Sequence, residues 1–482
     1  MRTFEKYSNL NLLWLFPIIV PLGTILLSFY LQEWYWGLVD DAGILVSGRT
    51  VAERFANDFG ARLSNGRVQF LFSLRSAIFY TMFEQNPVML HVLKWVEATL
   101  AILVWGLAVK KICGRSLGAL IFATITLSFN YFYDTFFFIS LQDVLGLLFL
   151  GIGLNCSIGA CDATSRTRFV TLATFGILGI ALGVTTNERL TAVGLAFGLG
   201  FILLGVMDKS IYRQALIIGA LIFGASVIYA LFLKLHMQPE IGHTARYSVT
   251  NFPVMANNLI DWIRKDVLNH SPWLLGLAIL ARYRGNSRSF RGSMGGFAMR
   301  QKWGVMLGGL LYFFFLLLLL PWMTISYVAG PLGVMFAFPV SVYISQVLPQ
   351  TTVGIQILAP ITALLLNILV SQWALTRESL YHYDTQNLIA WIQGNPAFQA
   401  AARSELVYCN AMEGGGAIPA HLGRDFGVSM PGFKYQGLDQ DLIFSGEIMV
   451  YTPRFGSSTD IFAPAVWDTV FYSKFWQVYV HK

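Results

Sequence analysis

Apolar runs of about 20 residues recur along this chain, and that recurrence decides what it can fold into. A run of that length crosses a bilayer as a helix, because hydrocarbon offers no partner to an open backbone N–H or C=O. The runs cover about 11–31, 88–109, 116–132, 135–155, 169–186, 189–207, 214–234, 270–282, 303–324, 327–348 and 352–373. They predict an all-α polytopic membrane protein of about 11 transmembrane helices. The composition agrees: of 482 residues, 55% are hydrophobic and 12% charged, where a soluble domain carries roughly 25% charge. Trp and Tyr gather at the ends of the runs, as interfacial anchors do. The first run follows Arg2 and Lys6 and is too long for a cleaved leader. It is read as a first span.

Basic residues sort between alternate loops. Arg2 and Lys6, then Lys110, Lys111 and Arg115, then Arg166 and Arg168, then Lys209 and Arg213 fall on one side. So does the acid-free run Arg282, Arg284, Arg288, Arg291, Arg300 and Lys302. The positive-inside rule makes that side cytoplasmic. The formal net charge of +7 therefore reports topology, and no nucleic-acid partner is implied. Two outer loops, 32–87 and 235–269, interrupt a transmembrane module over 1–375. The remaining segment, 376–482, is less apolar and richer in Gly and acids. Strand-like Glu405–Tyr408 and Leu442–Phe444 and helix-like Thr385–Gln393 predict a small α+β C-terminal domain on the outer, periplasmic side. Cys113, Cys156 and Cys161 fall inside and Cys409 outside, so no intrachain disulfide is expected.

Chemistry-bearing residues concentrate on the outer side. Asp40 and Asp41 lie side by side, just past the first span. Neighbouring side chains diverge on a helix and on a strand alike, so one of the two can face a reacting atom while the other orients it. The alternative is that they cap the helix that follows. That helix is amphipathic: Val51, Phe55 and Phe59 share one face, and Arg49, Glu53, Arg54 and Asp58 take the other. Gly60 is placed to end it. A second, more apolar helix follows Gly66-Arg67 and carries Arg75. Asn86-Pro87 then opens the second span.

Asp134 sits between spans three and four, after an aromatic run. Asp143 lies within the fourth span, where an ionisable residue is costly and so a functional candidate; a structural, hydrogen-bonded aspartate is the alternative. Glu188 and Arg189 form the outer turn between spans five and six. Arg246, Arg264 and Lys265 in the second outer loop are suited to gripping a phosphate. His236 and His243, seven apart, do not have the spacing of a tight zinc pair. Glu413-Gly414-Gly415-Gly416 lacks the Gly-Lys-Ser/Thr of a P-loop.

This layout resembles the GT-C superfamily of integral-membrane glycosyltransferases. The matching stretches are Val39-Asp40-Asp41-Ala42, Gly66-Arg67, Ser140-Leu141-Gln142-Asp143 and Thr186-Asn187-Glu188. Some relatives carry Lys before the Glu of that last turn; this chain has Asn187. The resemblance implies a GT-C-like fold in a bacterial inner membrane and a polyprenyl-phosphate sugar, such as an undecaprenyl phosphate donor. It also implies a glycan acceptor on the outer face. The size and outer C-terminal segment are similar to the phage O-antigen glucosyltransferases that change serotype. That narrower likeness implies glucose as the sugar and the O-antigen of lipopolysaccharide as acceptor.

Asp41, with Asp40, would then be catalytic. Arg49, Arg67, Arg75, Asp134, Asp143, Glu188, Arg189, Arg246, Arg264 and Lys265 would bind substrate. No resident cofactor is implied; some members of the superfamily use a divalent metal, for which the ligand set here is thin. Two other classes compete. A transporter or flippase of lipid-linked sugars would show paired broken helices in two symmetric halves, and the prolines that hint at kinks (Pro321, Pro331, Pro339, Pro360) all fall in one half. A non-catalytic scaffold subunit would tolerate loss of Asp40 and Asp41.

Overall fold

The computed structural model describes residues 48–64, 67–83, 87–114, 116–127, 143–236, 299–319, 330–347, 387–403, 407–409, 434–435, 448–451 and 467–481, with isolated helical positions near 253–260 and 383–384. The expected spans 11–31, 270–282 and 352–373 lie outside them. So do Asp40, Asp41, Asp134, Arg246, Arg264, Lys265, the His243 loop, the segment 442–444 and the side chain of Cys409.

The described chain is mostly helical. Two short helices, α1 (Val51–Ser64) and α2 (Phe70–Met82), precede α3 (Pro87–Cys113), α4 (Ser116–Leu127), α5 (Asp143–Cys161) and α6 (Arg166–Val184). A 3₁₀ turn, Glu188–Leu190, leads into α7 (Thr191–Met207), α8 (Tyr212–His236), α9 (Met299–Leu319) and α10 (Gly330–Val347). Among the described residues, five helices are long and apolar enough to cross a membrane, and they match five of the expected runs. The helix over α5 runs past its expected end at 155 to Cys161.

Two sequence expectations about α1 fail, its end at Gly60 and the exposure of Arg54, each for a local reason. Gly60 does not end the helix, which continues to Ser64; a single exposed glycine costs only about 1 kcal/mol in a helix. The Asp40–Asp41 pair is not needed as its cap. Thr50 Oγ1 accepts from Glu53 N at 3.2 Å, while Glu53 Oε2 accepts from Arg49 N at 2.9 Å and Thr50 N at 3.2 Å. This is a capping box, with Thr50 as the cap. Those backbone donors, Arg49 first, hold the Glu53 carboxyl below its ordinary range. Arg54 departs from the predicted polar face as well. It is fully buried, with Nε donating to Gly48 O at 2.8 Å and one terminal nitrogen to Thr81 Oγ1 of α2 at 3.2 Å.

Glycine governs how the long helices meet. On α5 and α6, a Cβ at Gly153 would lie 2.8 Å from Gly176 O, and one at Gly179 would lie 2.8 Å from Gly153 N. Between α7 and α8, Gly198 and Gly219 serve the same close approach. Lipid gives helices no hydrophobic reason to associate, so close backbone packing supplies the attraction. The indole N–H groups of buried Trp105 and Trp303 donate to Leu147 O (2.8 Å) and Gly200 O (2.7 Å), cross-linking α3 to α5 and α9 to α7.

The helices alternate in direction, which separates the loops. Lys111 of α3 donates to Asn155 O of α5, and Arg300 at the start of α9 pairs with Asp162 after α5. Among the described residues, Lys111 and Arg300 thus share one end of the bundle, the end where α5 finishes. Asp143, Glu188, Arg189 and the start of α3 share the other.

Near the C-terminus, α11 (Pro396–Arg403) and a helical stretch over 387–393 accompany a five-stranded mixed sheet. Its strands are β1 (Val407–Cys409), β2 (Lys434–Tyr435), β3 (Ile448–Tyr451), β4 (Trp467–Tyr472) and β5 (Gln477–His481), in the order β2-β1-β3-β5-β4. β1 runs parallel to β2 and β3, and the β3–β5 and β5–β4 pairs are antiparallel. Phe475 N donates to Asp384 Oδ2 at 2.8 Å, tying the last hairpin to the residues before that helical stretch.

The glycine seam predicts opposite outcomes at two sites. Gly153→Ala gains about 1 kcal/mol of helix propensity but drives a methyl into backbone atoms of α6, a cost of about 1–3 kcal/mol. It should lower the unfolding temperature of the purified protein. Gly224→Ala meets nothing within 4 Å and should not lower it.

Candidate functional site

Charged side chains that the sequence spreads over 120 residues meet at one end of the bundle, largely out of water. The turn after α6 brings them together. Asn187 is extended at φ −149°, and its side-chain oxygen accepts from Arg189 N at 3.1 Å, starting the 3₁₀ turn. Its Nδ2 donates to Asp143 Oδ1 at 2.6 Å. One amide thus shapes the turn and partners a carboxylate that is only 2% exposed, at the first described turn of α5.

Asp143 also feels two cations, Arg189 and Lys94. Lys94 is fully buried on α3, one helical turn after buried His91 and one before Glu97. That spacing of three puts His91, Lys94 and Glu97 on one face of α3. Glu97 takes Arg75 of α2 in a two-pronged ion pair, Nε to Oε1 and Nη2 to Oε2, both at 2.8 Å. Arg75 also lies over the Phe79 ring, 4.9 Å from its centre.

Glu188, 6% exposed, faces the other way, toward the entry to α2. Arg67 Nε donates to its Oε1 at 3.1 Å and Gln69 Nε2 to its Oε2 at 2.8 Å. Between them, Val68 O accepts from Tyr229 Oη of α8 at 2.9 Å. Three consecutive residues are therefore fastened to the ends of α7 and α8. The contacts continue into α1: Arg62 donates to Gln69 Oε1 at 2.7 Å and pairs with Asp58, which accepts from Ser73 Oγ at 2.6 Å.

Among the described residues, the cluster brings four basic side chains, Arg67, Arg75, Lys94 and Arg189, together with three acidic ones, Glu97, Asp143 and Glu188. Arg189 Nε and, two residues on, Thr191 Oγ1 are buried and take no hydrogen-bond partner among the described residues. Buried polar groups are normally satisfied, so these two stand out at the turn. Among the described residues no group of His, Cys, Asp and Glu is placed to hold a metal ion.

Of the residues singled out in the sequence, the structure brings together Arg67, Arg75, Asp143, Glu188 and Arg189. Arg49 is exposed, and its backbone serves the cap of α1. Sequence reasoning missed Gln69, Lys94, Glu97 and Tyr229. The three-residue spacing of His91, Lys94 and Glu97 inside an apolar run was the readable signal for two of them.

No family model matches the chain, and no curated protein matches it in sequence. In fold it is similar to ArnT from Cupriavidus metallidurans bound to undecaprenyl phosphate. The TM-score is 0.55 and the identity 10%, over 96% of this chain and 97% of that one. The apo state of the same protein matches with a TM-score of 0.52 and 10% identity, over 96% of each chain. The likeness is one of fold, carried over nearly the whole of both chains.

The Arg75–Glu97 pair yields a prediction. Both side chains are nearly inaccessible, 6% and 10% exposed, so removing one strands the other. Arg75→Met should cost about 3–5 kcal/mol. The double change Arg75→Met with Glu97→Leu should recover most of that loss. Thermal unfolding of the two variants measures the difference.

Proposed function

We propose that this chain is a membrane glycosyltransferase of the GT-C type, moving a sugar from a polyprenyl-phosphate donor to a glycan acceptor at the outer face of a bacterial inner membrane. The observation that carries the reading is the buried charged layer at one end of the bundle. It gathers Arg67, Arg75, Lys94 and Arg189 beside Glu97, Asp143 and Glu188. A sugar–phosphate–lipid link is a phosphodiester with a single negative charge, which guanidinium and ammonium groups are suited to bind. The end-to-end likeness to ArnT, crystallised with undecaprenyl phosphate, supports a lipid-linked donor. It favours the superfamily without favouring the serotype-converting branch; the identity of the sugar as glucose and of the acceptor as O-antigen rests on the sequence resemblance alone.

The chemistry follows from what the donor needs. A carboxylate takes the proton from the acceptor hydroxyl as its oxygen attacks the anomeric carbon. The bond from that carbon to the phosphate oxygen breaks, and the lipid phosphate leaves with the electron pair. Its charge rises as it departs, so preformed cations lower the barrier. Asp41 is the base in this reading and Asp40 orients it; small neighbours Ala42 and Gly43 leave room for a sugar beside Asp41. Arg67 and Arg189 face the phosphate. Lys94, buried on α3, acts electrostatically on Asp143. Arg246, Arg264 and Lys265 would add cations from the second outer loop.

Asp41→Asn keeps the shape and removes the proton acceptor. Transfer of radiolabelled sugar from a polyprenyl-phosphate donor in membranes should fall by about 10²–10⁴-fold while donor still binds. Asp40→Asn should cost less or weaken donor binding as well. Near-normal transfer in the double variant would overturn the assignment of the base to this stretch.

A further inference from the structure

Glu188 is a carboxylate at the proposed site, and its surroundings give it a job other than meeting substrate. Each of its oxygens is already engaged by the segment entering α2: Oε1 by Arg67 and Oε2 by Gln69. Gln69 is wholly buried, and its amide cannot be turned over without loss. Its Nε2 is committed to Glu188 and its Oε1 to Arg62, at 2.8 and 2.7 Å. Arg62 is fixed in turn by Asp58 of α1 and by the Phe72 ring, 4.8 Å from its charged carbon. The chain Asp58–Arg62–Gln69–Glu188 therefore ends on the Arg67 guanidinium, the most water-exposed member of the set at 23%. The Arg67 backbone N–H donates to Arg62 O at 2.9 Å, closing the loop on itself.

We infer that Gln69 and Glu188 are positioning residues, a bracket that aims the Arg67 guanidinium at an anionic lipid phosphate. This rests on the donor class proposed above and adds how the site grips it. A guanidinium on a loop loses rotational freedom when it binds an anion. One already held by its Nε loses less, so the bracket appears in the measurement as affinity for phosphate. Glu188 also offsets part of the Arg67 charge, so geometry rather than net charge is what the bracket adds.

The test uses the purified full-length protein and two probes, undecaprenyl phosphate and undecaprenol, which differ only in the phosphate. Equilibrium binding is measured for the wild type, Gln69→Leu, Arg67→Ala and the double variant. A charge-assisted hydrogen bond is worth about 1.5–3 kcal/mol, or roughly 10–150-fold in affinity. Arg67→Ala should weaken undecaprenyl phosphate by a factor in that range. Gln69→Leu should weaken it several-fold, with undecaprenol binding unchanged, and the double variant should match Arg67→Ala alone. If Gln69→Leu weakens both probes equally, its role is structural and the bracket is wrong. Full additivity in the double variant also overturns it, since Gln69 would then act without Arg67. A more conservative change, Glu188→Gln, keeps the shape and should give an intermediate loss for undecaprenyl phosphate only; wild-type affinity there counts against the bracket. If the wild type itself does not distinguish the two probes, the donor class fails and not the bracket alone.

Discussion

Burying a charge in a bundle that lipid surrounds is affordable only when a partner is already in place, and that constraint organises the whole end of this molecule. The Asp143–Asn187 hydrogen bond is where it is met most economically. Asn187 is neutral, so it partners Asp143 without cancelling its charge, and Lys94 and Arg189 can then share the same carboxylate. A lysine at 187 would have neutralised Asp143 outright and shifted the balance of the layer. Here α3 supplies the buried lysine, Lys94.

Around that bond, packing and electrostatics constrain each other. The glycine contacts between α5 and α6 leave no gap for the helices to slide apart, so the height of Asp143 against the 187–190 turn is set by backbone atoms in contact. The Arg75–Glu97 pair fastens α2 to α3, and the Tyr229–Val68 bond fastens the same loop to α8. The segment carrying α1 and α2 is thus bound to the bundle by polar contacts made near the level where the spans end. Polar bonds shielded from water are stronger there than they would be on an exposed surface.

How much of this was legible in the sequence varied with the range of the interaction. The long helices follow from apolar runs, because bilayer crossing is a local requirement on each segment. Helix starts were partly readable: Pro87 opens α3 as its chemistry suggests, while α1 starts on a Thr50–Glu53 capping box that sequence reasoning did not single out. Arg54 was assigned to a polar face by periodicity, yet it is buried, because Thr81 and Gly48 offer it partners that no helical wheel can show. Asp143, Glu188 and Arg67 were recognisable singly as charges in costly places. That Arg67 meets Glu188 across 121 residues was not, since pairing at that range depends on which loops the helices bring together.

The two faces of the bundle are not equally sheltered. Two thirds (67%) of the spanning windows of α5 and α7 are buried, against 33% in α6 and 28% in α8. The turn that carries Asn187 and Glu188 joins α6, which lies largely open to acyl chains, to α7, which is enclosed. α8, the other open helix, carries Tyr229. A change in hydrophobic thickness acts first on helices of that kind, which tilt to meet it. The turn is only six residues, 185–190, half of them in the 3₁₀ helix, too short to absorb such a tilt by itself. The depth and composition of the surrounding bilayer are therefore part of the geometry that Glu188 presents to Arg67.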